Sequence, residues 1–384
     1  MILQTARREI ERLCKNKIYW FCMIVAPLIS LLFFISLMYN GLPTKLPAGL
    51  VDLDNSSPSR NLARQLDAFA GTKITAHYPS FEEARKSMQR GEIYGIFLIP
   101  GHFAQDVVVE KQPKISFYTN NSYLIAGSLL FRDMKTVANL ASGSVVLQMG
   151  RARGYTNAQI IASIQPILID THPIGNPWLN YSVYLNNVIL LGILSLLIMC
   201  VTVYSIGSEI KGKTAGEWLK TGNNSILQSL IGKLLPQTII FFIVGLMMFA
   251  VLYLFMEFPV NGSIWNMILA LLFFIFASQS LGVFMIGCFP TLRLGLSFAC
   301  IWGMISFSIS GFSYPVDAMY PAVQLMSNLF PLRHYFLIYV DQALNSRALF
   351  YSWPHYMALL AFGLLPIIVL RSLKWSLQYK SYQP

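Results

Sequence analysis

The residues with the most chemical potential in this chain lie between 207 and 233. There the string GSEIKGKT, Gly207 to Thr214, has the G-x-x-x-x-G-K-[ST] spacing of a phosphate-cradling loop. Such a loop needs a buried strand before it and a helix packed on a sheet after it. Here the residues in front end a long apolar run, and another begins at 234. The downstream aspartates, Asp317 and Asp341, fall on the far side of the apolar runs, so no carboxylate is left to hold magnesium. The string is therefore not read as a nucleotide site, and the chain is not expected to bind ATP by itself. His77, His102, His172, His334 and His355 are dispersed. His102 and Asp106 have i, i+4 spacing, which reads as a surface pair rather than a catalytic one. Ser56, Ser57 and Ser59 read as turn and cap residues, and neither H-E-x-x-H nor G-x-S-x-G occurs. Cys14, Cys22, Cys200, Cys288 and Cys300 have no CxxC or metal-ligand spacing. Enzyme chemistry finds no constellation here, and no metal site is expected.

The elements that would position these residues follow from hydropathy. Of 384 residues 55% are hydrophobic and 12% charged, with a mean hydropathy of +0.54; soluble chains carry about 25% charged residues. The deficit is concentrated in charge-free stretches at 18–44, 171–208, 234–256, 258–292, 294–316 and 348–370. A bilayer core needs about 20 apolar helical residues, so each stretch holds one span. Spans are placed at 18–39, 183–206, 234–256, 264–289, 294–312 and 353–370. The first is an anchor, because its apolar run exceeds the roughly 7–15 residues of a signal-peptide core and no A-x-A-like site follows. The chain is read as an α-helical polytopic membrane protein of six transmembrane helices plus a re-entrant outer hairpin, with an inserted α/β extracytoplasmic domain.

The net charge of +11 invites a nucleic-acid reading, but its distribution argues otherwise. Arg7, Arg8, Arg12, Lys15 and Lys17 precede the first span. Lys211, Lys213, Lys220 and Lys233 lie in the 207–233 loop, Arg293 between two later spans, and Arg371, Lys374 and Lys380 at the end. Loop 257–263 has no Lys or Arg, and 313–352 has only Arg333 and Arg347. This is the positive-inside pattern; it places both termini in the cytoplasm of a multi-pass protein and assigns the charge to anionic lipid rather than nucleic acid.

Residues 1–17 form a basic, interfacial cytoplasmic segment, 18–40 the first transmembrane helix, 41–177 the inserted domain, and 178–384 the remaining spans. Within the inserted domain, "AGLVDLD", "KITAHY", "IYGIFLI" and "KISFY" read as strands. Ser57 with Pro58 opens one helix, Ser80 with Glu83 caps "FEEARKSMQR" and Gly91 stops it. A long helix is expected over 122–153, and a final strand near "PILID" (166–170). The segment 313–352 is apolar yet broken by Pro315, Pro321 and Pro331, and carries Arg333, His334 and Asp341. If it spanned, the basic tail would end outside. A re-entrant or interfacial outer hairpin, with Gly311, Pro315, Pro331 and Arg333 as markers, satisfies the charge rule, and its irregular backbone needs shielding by protein.

Polar residues inside the spans need partners. Asn186, Asn187, Ser195 and Thr202 lie in the second span, Gln279 between Ser278 and Ser280 in the fourth, and Ser306, Ser308 and Ser310 in the fifth. Individually each reads first as helix–helix packing. Together, Asn186, Asn187, Ser195, Thr202, Gln279, Ser306 and Ser310 suit a path for an amphipathic substrate. On this reading no span carries a buried acid or base, which argues against proton or sodium coupling.

Four pieces in order, "GLVDLDNSSPSRNLARQL", "NPWLNYSVYLNNVILLGIL", "SEIKGKTAGEWLKTGNNSILQSLIGKLLPQ" and "SGFSYPVDAMYPAVQLMSNLFPLRHYF", resemble the membrane subunit of type-2 ATP-binding-cassette exporters, in the subgroup with a large domain after the first span. Where that family shows Gly-Thr-x-Glu, this chain has Lys213-Thr214-Ala215-Gly216-Glu217, and where relatives place Pro-Gly it has Asn186-Asn187. The resemblance implies a permease half-transporter in a bacterial inner membrane that exports a drug, lipid or glycan-like substrate. It implies pairing with a second copy or a related permease, and a separate ATPase subunit holding the ATP and magnesium, so that this chain itself needs no cofactor. A periplasmic membrane-fusion adaptor is a further implied partner. Glu209, Lys211, Lys213, Thr214, Glu217, Trp218 and Lys233 would form the ATPase-coupling loop, with Glu217 the most sensitive. The rival readings are an ATPase-linked mechanotransmitter that moves the external domain without transporting substrate, and a membrane enzyme or receptor with a sensing domain.

Overall fold

The computed structural model describes residues 1–167 and 169–379. The chain divides into two compact units, Met1–Gly41 with Pro173–Pro384, and Leu42–His172. The first unit opens with helix α1 (Ile2–Lys15), whose buried residues Thr5, Ala6, Glu9 and Leu13 share one face. Asn16 breaks it and caps the next helix by accepting from the Ile18 N–H at 2.9 Å. That helix, α2 (Lys17–Leu37), is long and apolar enough to span a membrane. It carries a π-helical turn at Phe21–Val25 just before Pro27. Proline has no N–H for the α-helical ladder, and a π turn absorbs the register change.

The second unit is a four-stranded sheet of order β2-β1-β3-β4. Strand β1 (Leu46–Asp52) pairs in parallel with β2 (Thr72–His77) and β3 (Gly95–Ile99), and β4 (Ser116–Thr119) runs antiparallel to β3. Alternation along the strands divides the core. Ala48, Leu50, Phe97 and Ile99 meet α3 (Ser57–Asp67) and Leu130, Met134 and Val137 from a helix later in the chain, whereas Val51 and Ile96 meet Ala84 of α4 (Phe81–Gln89). Two faces, two apolar sets with period two, follow from the pleat. Ser56 rather than Ser57 caps α3, accepting from Ser59 N–H at 3.2 Å. Ser80 accepts from Glu83 N–H at 3.4 Å, and Gly91, at φ +77°, ends the turn after α4. The exposed Arg90 guanidinium beside Glu92 holds that carboxyl down at about 2.

A short helix α5 (Phe103–Val108) follows β3, then the long α6 (Leu124–Ala152) and α7 (Asn157–Ile164). Neither α5 nor α7 is foreseen from the sequence. The expected strand at 166–170 is not found at its described positions; Leu168 lies outside the described residues.

Returning to the first unit, α8 (Tyr181–Lys211) is capped by Asn180, which accepts from Ser182 N–H at 2.8 Å. Then come α9 (Ala215–Thr221), α10 (Ile226–Phe255), α11 (Ile264–Cys288), α12 (Leu292–Ile309), α13 (Pro321–Ser327), α14 (Pro331–Ile338) and α15 (Leu349–Tyr379). With α2, the helices α8, α10, α11, α12 and α15 give six long and apolar enough to cross a membrane. Two-thirds of the most apolar window of α8 and of α11 is buried inside the protein, against a third or less in the other four. The bundle is therefore built around α8 and α11. Several helices outrun the apolar windows that marked them: α8 continues through Glu209 and Lys211, α10 begins before Lys233, and α15 runs past Arg371 and Lys374. A hydropathy window stops at the first charge, whereas the backbone ladder does not.

Candidate functional site

The 207–233 segment is not a solvated loop but three helical pieces: the end of α8, the whole of α9, and the start of α10. At their junction sits Glu209, fully buried. Arg8 of α1 reaches it with a two-pronged bond, Nη1 to Oε1 at 2.7 Å and Nη2 to Oε2 at 3.1 Å. Such paired, charge-assisted bonds fix geometry as well as charge. Arg12 also pairs with Glu209 and donates to Ser208 Oγ at 3.1 Å, and the Thr214 hydroxyl donates to the same carboxylate. From the other side Lys233 Nζ donates to Glu209 Oε1 at 3.0 Å and to Glu9 Oε2 at 2.6 Å; Gln237 Nε2 completes Glu9 at 2.9 Å. Lys233 and Glu9 are as deeply buried as Glu209. The network thus joins α1, α8 and α10 through two carboxylates and three cations.

Close approach makes this junction compact. A Cβ on Gly232 would lie 2.6 Å from Thr5 Cβ and 2.8 Å from the Ile2 carbonyl oxygen, so only glycine lets α1 rest on α10 there. Helix α9 is pinned by its buried Ala215, Trp218 and Leu219. The Trp218 Nε1–H donates to Ser229 O at 3.3 Å, its ring lies 4.9 Å from Lys233 Nζ, and Thr221 meets Thr5 at 3.2 Å between hydroxyls. On the opposite side of α9, Gly216, Glu217 and Lys220 are exposed, as are Lys211 and Lys213 beside it. The expected coupling residues therefore separate. Glu209, Thr214, Trp218 and Lys233 are anchors of the junction, and Lys211, Lys213 and Glu217 are on its surface. Glu209 and Lys233, in the parts of α8 and α10 that extend beyond the spans placed from sequence, are buried ions that survive because each is paired.

The seven polar residues assigned to a substrate path are buried within the subunit. The Tyr335 hydroxyl donates to Asn187 Oδ1 at 2.6 Å, while Asn187 Nδ2 donates to Tyr253, tying α8 to α14 and to the end of α10. Asn186 bonds Ser182 at 2.8 Å, and Ser195 meets Ser278 at 2.7 Å between α8 and α11. Thr238 donates to Gln279 at 2.7 Å between α10 and α11. Ser310 donates back to Ser306 O in the last turn of α12, and Thr202 packs where Gly282 of α11 approaches. Tyr335 and Tyr339, which donate in this network, and Tyr253, which accepts, were not singled out from sequence; a tyrosine in an apolar run looks like core until its hydroxyl is seen to have a partner.

Just before 313–352, Gly311 has φ +100°, and its backbone turns against Val316 and Arg333. Pro315 leads into a 3-10 turn at Val316–Ala318, and Pro331 opens α14 where no N–H is needed. Arg333 is pushed down by burial and partly held up by Asp317. Burial takes His334 down to about 4, so its ring is neutral, and Nε2 donates to the Asn328 carbonyl at 2.9 Å. A π turn at Tyr339–Leu344 ends in a polar knot, where Arg347 and Ser352 donate to Asp341 at 3.1 and 3.2 Å.

The phosphate-loop string ends α8 with no strand before it. Among the described residues no group of three or more His, Cys, Asp or Glu could hold a metal ion. The architecture and the two polar networks define a multi-pass helical membrane protein with an inserted α/β unit. Residues 17–370 match the model of the ABC-2 family transporter proteins, and the chain belongs to that family as an ABC transporter permease. Among curated proteins no sequence matches the chain.

Proposed function

We propose that this permease exports an amphipathic substrate (a drug, lipid or glycan-like molecule) from the cytoplasm or inner leaflet of a bacterial inner membrane. The work is done by a separate ATPase subunit that holds the ATP and magnesium, so this chain uses no cofactor. The observation that carries the reading is the Glu209 junction. It welds α1, α9 and the ends of α8 and α10 into one block, with Glu217 and Lys220 outward on α9. A push on that surface is delivered to α8, the central helix of the bundle, because buried ion pairs do not slide apart without stranding a charge. In this arrangement both termini and α9 face the cytoplasm, the Leu42–His172 unit lies outside, and 313–352 is an outer re-entrant hairpin. Two permeases pair, as a homodimer or with a relative, and a periplasmic adaptor docks from the outer side.

The test is the co-purified permease–ATPase complex in proteoliposomes. Glu217→Ala should leave insertion intact and either weaken ATPase retention or leave hydrolysis running without export. Wild-type retention, hydrolysis and export in that variant would remove α9 from the coupling role. A second reading, a mechanotransmitter that moves the external unit without moving substrate, draws on the hydrogen bonds that hold Asn187, Ser195 and Gln279 inside the subunit. It predicts ATP hydrolysis that no substrate stimulates.

A further inference from the structure

The Leu42–His172 unit contains a cavity of about 910 Å³ that the junction and the spans leave unexplained. Its walls are α5, the 109–115 segment, the second half of α6 and α7. Apolar side chains dominate, including Phe103, Val107, Ile115, Val145, Met149 and Ile160. Val137 is the last buried residue of α6 on the sheet core, and Ala141 packs partly against it. Beyond that point α6 meets α7 at Gly150, while Val145 and Met149 line the cavity.

The wall is built, not incidental. Helix α7 sits on α6 because residue 150 is glycine; a Cβ there would lie 2.6 Å from Ile160 Cγ1. Gly154, at φ +81°, makes the turn between the two helices. Thr156 and Gln159 form a complete capping box, and Arg151 donates to Asn157 at 2.9 Å. Together they hold a two-turn helix at a fixed distance and keep the space beneath it open. At the solvent edge Arg153 pairs with Glu110, which adopts a positive φ of 55°, and Lys111 lies beside them. Both partners of that pair are more than half exposed, so the bond is weak and readily exchanged.

We infer that this cavity binds a single-chain anionic amphiphile, its apolar tail along Val145, Met149 and Ile160 and its acidic head at Arg153 and Lys111. The volume lies near the upper end of small-ligand sites, roughly 300–1,000 Å³. The edge holds two cations against one carboxylate, and an incoming acid can take the place of Glu110 on Arg153. This deepens the export reading by naming a substrate class for the external unit, and it rests on that reading only for the direction of transport.

The experiment uses the full chain in nanodiscs, without ATPase or ATP, and a hexadecanoate carrying a photoactivatable diazirine at its tail. Crosslinks should map to 103–115 and 138–163 in addition to the membrane helices, whose labelling serves as the internal reference. Val145→Trp, which fills the space, should reduce the external crosslinks by about tenfold, the equivalent of 1.4 kcal/mol. The surface double variant Lys111→Gln with Arg153→Gln keeps the apolar wall, and should weaken displacement by unlabelled hexadecanoate while leaving displacement by hexadecanol unchanged. Crosslinks confined to the spans in the unaltered chain would overturn the proposal. So would external crosslinks indifferent to both variants, or equally well displaced by hexadecyltrimethylammonium. Because no ATPase is present, either result is independent of whether the chain exports in complex.

Discussion

The two ends of α8 are held by different chemistry. At its C-terminal end, Glu209 is buried among Arg8, Arg12 and Lys233, with Glu9 behind them. Toward its N-terminal end, Asn187 is buried between Tyr335 and Tyr253, and Tyr339 donates to Val183 O at 2.7 Å. One end is ionic, the other neutral. A buried ion pair tolerates little displacement, since separating it leaves an uncompensated charge. Neutral hydroxyl and amide partners can be exchanged at a smaller penalty. The ionic end is suited to transmitting a movement as a block, and the neutral end to rearranging its contacts when the block moves.

The comparison breaks most visibly if the ends do not face opposite compartments. In a cysteine-free background, Ala348→Cys should be labelled in intact spheroplasts by an impermeant maleimide, and Lys220→Cys only after the cells are opened. Labelling of both from outside would discard the assigned orientation. Next in size is Lys233→Met, which leaves buried Glu9 with Gln237 alone, while Glu209 keeps Arg8 and Arg12. It should lower the unfolding free energy of the purified chain by about 3–5 kcal/mol. A loss under about 1 kcal/mol would mean that water reaches these charges and the junction is not a rigid block.

Tyr335→Phe probes the neutral end. It leaves Asn187 Oδ1 without its donor and should reduce stability by about 1–3 kcal/mol, less than Lys233→Met in the same denaturant assay. Equal losses at both ends would erase the distinction. Smallest is the Ser195–Ser278 bond at mid-bundle: a double-mutant cycle with alanine should return a coupling near 0.6 kcal/mol, the mean for hydrogen bonds between membrane helices. A coupling as large as that of the ion pairs would place a third rigid point between the ends.

Much of the fold could be read from residue order. The charge-free runs located all six long helices, because bilayer thickness demands length and apolarity that few other structures need. Alternation located β1 to β4, and Ser80 with Gly91 bracketed α4. Caps were harder to place: Ser56, Ser57 and Ser59 are all competent, and only the observed bond to Ser59 N–H selects Ser56. Helices α5 and α7 were missed because eight residues or fewer carry too little periodicity to register.

The site was legible in membership but not in role. Glu209, Lys213, Glu217 and Lys233 all read as charges of one loop, and sequence spacing cannot say which of them turns inward. That depends on α1, which is distant in sequence from residue 209 and brings Arg8, Glu9 and Arg12 to it.

What the sequence by itself determined is the membrane class, the six long helices and the inserted α/β pattern, since these follow from local composition and periodicity. It also carried enough ordered motifs for the family to be recognised. What only the tertiary structure decided is which polar groups are partners. Burying Lys233 or Asn187 is unfavourable until a specific group from another helix meets it, and no local property of either residue says that Glu9, Glu209, Tyr253 or Tyr335 will arrive.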